Sequence, residues 1–329
     1  MPAPDTSDRE IVIRRTIAAP RALVFAAFTE ARHIDAWFGP VGYTTTTQSM
    51  DVHPGGLWRY AMSGHGMSYA TWVRYHQVDA PALLVYEVGT GSPDSPAHFQ
   101  VRVTFSTVGA ATELTMRSLF PSAAARNQVV DKHHAIEGGQ QTLARLDSHL
   151  HDQALAAAPL PPLGTPFVFA RIVAAPRAVV WNAWTDPTAL LHWFGPKGCT
   201  LTAASLDLRP GGVFHYAMET PGGTMWGKWL FREVVAPERL VLIQCFSDAT
   251  GGVTRHPFSP NWPLLTYSVL TLSEAAGQTT MTLAWSPWDG DDLARATFDS
   301  SHPDMERGWS GTFAALLQYL QSVTKDRSP

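Results

Sequence analysis

The chain has 329 residues, 45% hydrophobic and 16% charged, which supplies ordinary packed cores and excludes a disordered or acidic-tail protein. Twenty-four Lys and Arg against 28 Asp and Glu leave a net charge of −4, without the basic excess that neutralising phosphates requires, so no nucleic acid is expected as a partner. Two cysteines are too few for a disulfide framework or a Cys-rich zinc site, and no run of about 18 apolar residues offers a membrane span.

In chain order, Glu10 to Ala18 alternates with β-branched residues and reads as a strand. Pro20 then stands at the first position of a helix carrying Val24, Phe25 and Phe28. A second short helix is stopped by Trp37-Phe38-Gly39-Pro40. Alternating runs follow for about six antiparallel strands, with Trp58, Tyr60 and Met62 on one face of an early one. A long helix with an apolar stripe of Ile136, Leu143, Leu146 and Leu150 closes the series.

The series is then written a second time. Ala19-Pro20-Arg21-Ala22 recurs as Ala175-Pro176-Arg177-Ala178, and Trp37-Phe38-Gly39-Pro40 as Trp193-Phe194-Gly195-Pro196. Pro54-Gly55-Gly56 recurs as Pro210-Gly211-Gly212, Tyr60-Ala61-Met62 as Tyr216-Ala217-Met218, and Ala80-Pro81 as Ala236-Pro237. All share an offset of 156 residues, and 26 of the 63 positions from Ala19 to Pro81 are identical to their partners. A repeat of this length is a whole domain, since solenoid units repeat every ~20–50 residues. Domains are expected over 8–152 and 165–325, joined by an Ala- and Pro-rich, semi-rigid linker over 153–164. The second copy closes on a helix with Phe313, Leu316, Leu317 and Leu320.

One helix cannot cover so wide a sheet completely, so a curved sheet gripping it is expected to leave a hollow for a small ligand. This order of elements, with the Ala-Pro pair, Trp-Phe-Gly-Pro and Pro-Gly-Gly, resembles the SRPBCC (START-like, helix-grip) superfamily. More narrowly, it resembles the bacterial branch named after the Aha-type activator of the heat-shock chaperone ATPase. The acidic residue, Pro and Leu of that branch match Glu233, Pro237 and Leu240, and have drifted to Gln77, Pro81 and Leu84 in the first copy. The resemblance implies an α+β fold of two tandem helix-grip domains, each a curved antiparallel sheet around a long C-terminal helix. It also implies hydrophobic small molecules as ligands. Its members range from lipid carriers and aromatic cyclases to self-resistance proteins and chaperone regulators, and no catalytic residue carries across.

Nine of the twelve tryptophans fall in the second copy. They read either as flat faces for an aromatic ligand or as rings filling a core. The residues expected at ligand sites are Trp37, Phe38, Trp58, Tyr60 and Met62 in the first copy. In the second they are Trp193, Phe194, Phe214, Tyr216, Met218, Trp229, Phe231, Trp262, Tyr267, Trp309 and Phe313. The second copy also has a loop about 11 residues longer, Asp248 to Pro263, with His256, Phe258, Asn261 and Trp262, which reads as a lid or a plain connection.

Glu233 is the weak candidate for a buried catalytic carboxylate, since unbroken alternation puts it on the face of Trp229 and Phe231. Lys228 and Arg232, and Gln77, Arg74 and His76, are the other polar candidates. His133-His134 and His149-Leu150-His151 lack zinc-helix spacing and are expected at the surface, and Asp289, Asp291 and Asp292 are expected to cap a helix. Neither Gly89-Thr90-Gly91-Ser92 nor Gly308-Trp309-Ser310-Gly311 completes a phosphate loop or nucleophile elbow. The expected function is binding of a hydrophobic, aromatic or polycyclic small molecule as a carrier or sequestering protein, with no cofactor and no metal. The alternatives are a self-resistance protein, a cyclase-like enzyme acting on a natural product, and a chaperone-associated protein. With no basic region and apolar run at its start, the chain is expected in the cytoplasm.

Overall fold

A computed structural model of the chain describes residues 5–162 and 165–325. The chain divides into two compact units at the His151–Asp152 bond. In the first, strand β1 (Glu10–Ile17) leads through helices α1 (Arg21–Thr29) and α2 (Ala31–Trp37) into six more strands. These are β2 (Tyr43–Met50), β3 (Leu57–Gly64), β4 (Met67–Asp79), β5 (Leu83–Thr90), β6 (Phe99–Val108) and β7 (Ala111–Leu119). Helices α3 (Ala123–His133) and α4 (Ala135–Ala157) follow. The sheet is antiparallel, in the order β1-β7-β6-β5-β4-β3-β2.

The second unit repeats the plan with β8 (Phe167–Val173), α5 (Arg177–Thr185), α6 (Pro187–Trp193), β9 (Thr200–Leu206), β10 (Val213–Thr220), β11 (Gly223–Val235) and β12 (Arg239–Ser247). It continues through β13 (Val253–Thr254), β14 (Thr266–Ala275), β15 (Gln278–Pro287), α7 (Asp292–Ser300) and α8 (His302–Lys325). Its sheet runs β8-β15-β14-β12-β11-β10-β9, with β13 added beside β12. This is the α+β helix-grip architecture that the element order predicts, twice over.

The shared motifs have mechanical roles. Trp37 and Trp193 are buried and donate their indole N–H to Ala27 O (3.0 Å) and Ala183 O (2.9 Å), pinning the second short helix of each unit to the first. In each Pro-Gly-Gly turn the first glycine has φ of +88° (Gly55) or +78° (Gly211), which disfavours a side chain. A Cβ on the second, Gly56 or Gly212, would stand closer than 3.0 Å to a backbone carbonyl, Asp51 O or Asp207 O. The turn is laced to the long strand: Gly211 N donates to Phe231 O (2.7 Å) and Phe231 N to Gly212 O (2.9 Å), as Gly55 and Gly56 do with Tyr75.

Several expectations change. Pro20 and Pro176 precede the first helical residue instead of occupying it. Helix α3, capped by Ser122 Oγ accepting from Ala125 N, is an additional element that buries no residue. Gly308 to Gly311, expected to open a helix, lies inside α8. His149 is half-buried against His33, with a ring-nitrogen separation of 3.1 Å. Asp291 caps α7 as expected, accepting from Ala294 N at 2.9 Å, whereas Asp289 accepts from Leu265 N at 2.9 Å.

Candidate cavity of the second domain

The last helices of the two domains align through Thr142 and Thr312, each of which donates its hydroxyl to a glycine carbonyl one turn back, Gly138 O and Gly308 O. Leu146 and Leu150 then match Leu316 and Leu320, all buried. In this alignment Gly139 corresponds to Trp309, and Arg145 to Ala315. A Cβ on Gly139 would stand closer than 3.0 Å to Ile13 Cδ1, so the Ile13 side chain packs directly on α4 at this glycine. Arg145 then ties α4 to the Trp-Phe-Gly-Pro loop, donating to Gly39 O (2.8 Å), Pro40 O (3.2 Å) and Tyr43 O (3.0 Å).

In the second domain the same helix position carries an indole. Trp309 lies 6.1 Å from Phe169, the counterpart of Ile13, and 6.0 Å from Trp184 in stacked orientation. Among the described residues no arginine ties α8 to Gly195 and Pro196, and Trp309 stands between α8 and the sheet. A cavity of about 590 Å³ lies between them, within the ~300–1,000 Å³ usual for small-molecule sites. Its wall includes Phe194, Tyr216, Met218, Trp229, Trp262 and Trp309. Trp285, Met225 and Met305 join them, none expected there from the sequence. Tyr216 lies flat over Gly227, where a Cβ would come closer than 3.0 Å to the phenol ring; the first domain has Thr71 in this place.

The remaining expected residues lie elsewhere. Phe214 and Phe231 are fully buried behind the wall, and Phe313 packs on Phe169 at 5.9 Å. Trp193 is occupied by its bond to α5. Tyr267 faces the opposite side of the sheet, because the β12–β14 register sets it beside Ile243 and Leu230; its hydroxyl donates to Pro161 O at 2.8 Å. In the first domain Phe38, Trp58 and Tyr60 pack on one another, with Trp58 stacked on Tyr60 at 4.1 Å and Phe38 edge-on to both, while Met62 is partly buried against the same core as Trp37.

Glu233 is not on the face of Trp229. The strand is bulged between Phe231 and Glu233, so the alternation slips by one. Glu233 then pairs with Val241, half-exposed, 3.6 Å from Arg239. Gln77 follows an equivalent bulge after Tyr75 and donates to Asp79 Oδ2 at 2.6 Å. Lys228 is buried on the outer face, its Nζ donating to Asp152 Oδ1 (2.6 Å) and Gly251 O (2.7 Å). Arg232 donates to the Leu155 and Ala158 carbonyls. Arg74 pairs with Glu87 at 2.9 Å, and His76 with the same carboxylate at 3.3 Å.

The long loop adds to the site. Strand β13 folds back on β12 through Phe246–Thr254 and Ser247–Val253, which carries His256 and Trp262 onto the cavity wall. Trp262 packs on Trp285 (5.9 Å) and on Phe298 of α7 (5.2 Å). Cys245 lies beside this wall, but burial pushes its thiol up to about 12, so it stays protonated and is a poor nucleophile. Burial holds His256 below the ordinary imidazole range. The stability from keeping this ring neutral is present above its unfolded value near 6.5 and is lost as pH falls from there toward the folded value. Lowering the pH from 7.5 to 5.5 is therefore expected to depress the melting temperature of the wild type more than that of His256→Gln; equal losses would show that this ring is not held neutral.

The family model described as Activator of Hsp90 ATPase homolog 1-like protein matches residues 18–151 and again residues 174–321. Among solved structures, the chain is similar to protein Ms6760 from Mycobacterium smegmatis, at 26% identity over 45% of this chain and 95% of that one, with a TM-score of 0.42. A protein from Staphylococcus epidermidis matches at 28% identity over 44% and 91%, with a TM-score of 0.40. The di-domain ARO/CYC BexL from the BE-7585A biosynthetic pathway aligns over 95% of this chain and 98% of that one, at 14% identity and a TM-score of 0.35. No curated protein matches. No helix among the described residues is long and apolar enough to cross a membrane. With its family model matched once in each half, the chain belongs to the Activator of Hsp90 ATPase homolog 1-like family and carries that family's helix-grip domain twice in tandem.

Proposed function

We propose that the second domain binds a flat, apolar, aromatic or polycyclic small molecule beneath α8, and that the protein carries or sequesters it. The observation behind this reading is the cavity of about 590 Å³ walled by Trp229, Trp262, Trp285, Trp309, Tyr216 and Phe194. Each ring face that stacks on an aromatic ligand adds about 0.5–1.5 kcal/mol beyond the burial of area. Carriage is favoured over chemistry because Glu233, Lys228 and Arg232 all have partners away from the cavity. On this reading the first domain, where Ile13 packs on Gly139 and Arg145 ties α4 to Gly39, serves as the scaffold of the pair.

Titration with a panel of polycyclic compounds is expected to quench tryptophan fluorescence, and equilibrium dialysis to give one bound molecule per chain. Mass spectrometry of the incubated mixture is expected to return ligand and protein unchanged. Altered ligand would mark a cyclase-like enzyme, and altered protein a self-sacrificing resistance protein. Two bound molecules would give the first domain a site of its own. Failure of every compound to bind would leave an outer-surface role, such as association with a chaperone.

A further inference from the structure

Most polar groups around the cavity are already committed. The Ser301 hydroxyl donates to Thr297 O (2.7 Å) and the Gln244 amide to Ser268 Oγ (2.5 Å). The Thr312 hydroxyl is spent on its own helix, and Asp304 pairs with Arg307. His256 differs. Its Nδ1 accepts the backbone N–H of Phe258 at 3.0 Å, so that nitrogen carries no proton and the neutral ring bears its hydrogen on Nε2. The ring is held against two other wall residues, Phe246 at 4.4 Å and Trp262 at 5.8 Å. Among the described residues nothing accepts from Nε2.

A donor of fixed tautomer set among rings, with no acceptor of its own, selects for a partner that brings one. Half-buried His256 leaves this nitrogen open to solvent, and a ligand that covers it without accepting its hydrogen leaves the bond unmet at a cost of about 1–3 kcal/mol, so a ligand able to accept gains over one that is hydrocarbon throughout. We infer that the ligand is a planar apolar frame bearing an acceptor oxygen, a carbonyl or an ether, and that His256 Nε2–H is the group that recognises it. The inference rests on the cavity being the ligand site. It makes His256 a specificity residue of the loop, beside the indole N–H of Trp285, which is buried on the same wall without a partner among the described residues. A ligand presenting N–H at the same point would set donor against donor and is disfavoured.

Fluorene and 9-fluorenone share one tricyclic frame and differ in a single carbonyl. Equilibrium dialysis of the full chain against each at pH 7.5 gives the ratio of their affinities. His256→Phe, which keeps the ring packing, is expected to shift that ratio about 3- to 10-fold toward fluorene, the size of one net hydrogen bond. His256→Gln, which retains an N–H near the Nε2 position, is expected to leave the ratio within about twofold of the wild type. In the wild type, 9-fluorenone and not fluorene is expected to move the Nε2 resonance in the ¹⁵N spectrum of the histidine side chains, a readout that needs no variant. A ratio unmoved in His256→Phe, or an Nε2 resonance that ignores fluorenone, overturns the role of His256 while the cavity site stands. Failure of the wild type to bind either compound removes the cavity site, and this inference with it.

Discussion

Trp309→Ala is expected to weaken binding of a polycyclic ligand to the second domain at least tenfold and to lower the unfolding free energy by about 3 kcal/mol. The indole is both wall and strut. It lies in stacked orientation 6.0 Å from Trp184 and touches Phe169, and it occupies the helix position that Gly139 fills in the first domain. Without it, α8 either shifts into the space the ring leaves or stays in place over a wider hollow with one stacking face fewer. Both outcomes reduce the contact available to a ligand. The reciprocal change, Gly139→Trp, has no space to enter and is expected to destabilise the first domain by about 3 kcal/mol or more, without creating a site. Ligand affinity unchanged in Trp309→Ala would place the ligand outside this cavity.

Gly212→Ala is expected to cost about 3 kcal/mol or more in urea unfolding, with Gly56→Ala comparable in the first domain. The added methyl group would run into Asp207 O, and a carbonyl held in the backbone cannot swing aside as a side chain does. The strand Val213–Thr220 would have to shift, which breaks the pair of bonds between Gly211, Gly212 and Phe231. Those bonds lie just before the bulge that turns Glu233 away from the core, so the cavity floor at Trp229 and Tyr216 is disturbed as well. By contrast, Gly211→Ala meets no neighbouring atom and pays only for its φ of +78°, so its loss is expected to be smaller, about 1 kcal/mol. Equal losses at the two positions would show that backbone conformation, and not space, governs this turn.

Much of the architecture was legible because it is written in periods and motifs. The 156-residue offset announces two copies, and alternation marks the strands. The Trp-Phe-Gly-Pro and Pro-Gly-Gly motifs mark where chain direction changes. Helix α3 was illegible because it buries no residue and so carries no apolar stripe. The side of the sheet on which a residue lies was less secure than the strand itself. A single bulge reversed Glu233, and the pairing of Tyr267 with Ile243 put that ring on the outer face. Alternation is a local rule, so one inserted residue inverts Glu233, whereas the face of Tyr267, on a strand without a bulge, is set by its register with β12.

The tryptophan surplus of the second copy is plain in the sequence, but its meaning is not, because a ring at helix position 309 fills a core or lines a cavity depending on what lies across from it. The sequence by itself determined two helix-grip domains, their order of elements and the turns that join them, since these follow from local periodicity and from glycines at strained or crowded points. Only the tertiary structure decided which rings of the second domain share a cavity wall, which side of the sheet Glu233 and Tyr267 take and which nitrogen of His256 accepts from Phe258. The wall and the faces depend on distances between segments far apart in the chain, and no local pattern encodes them.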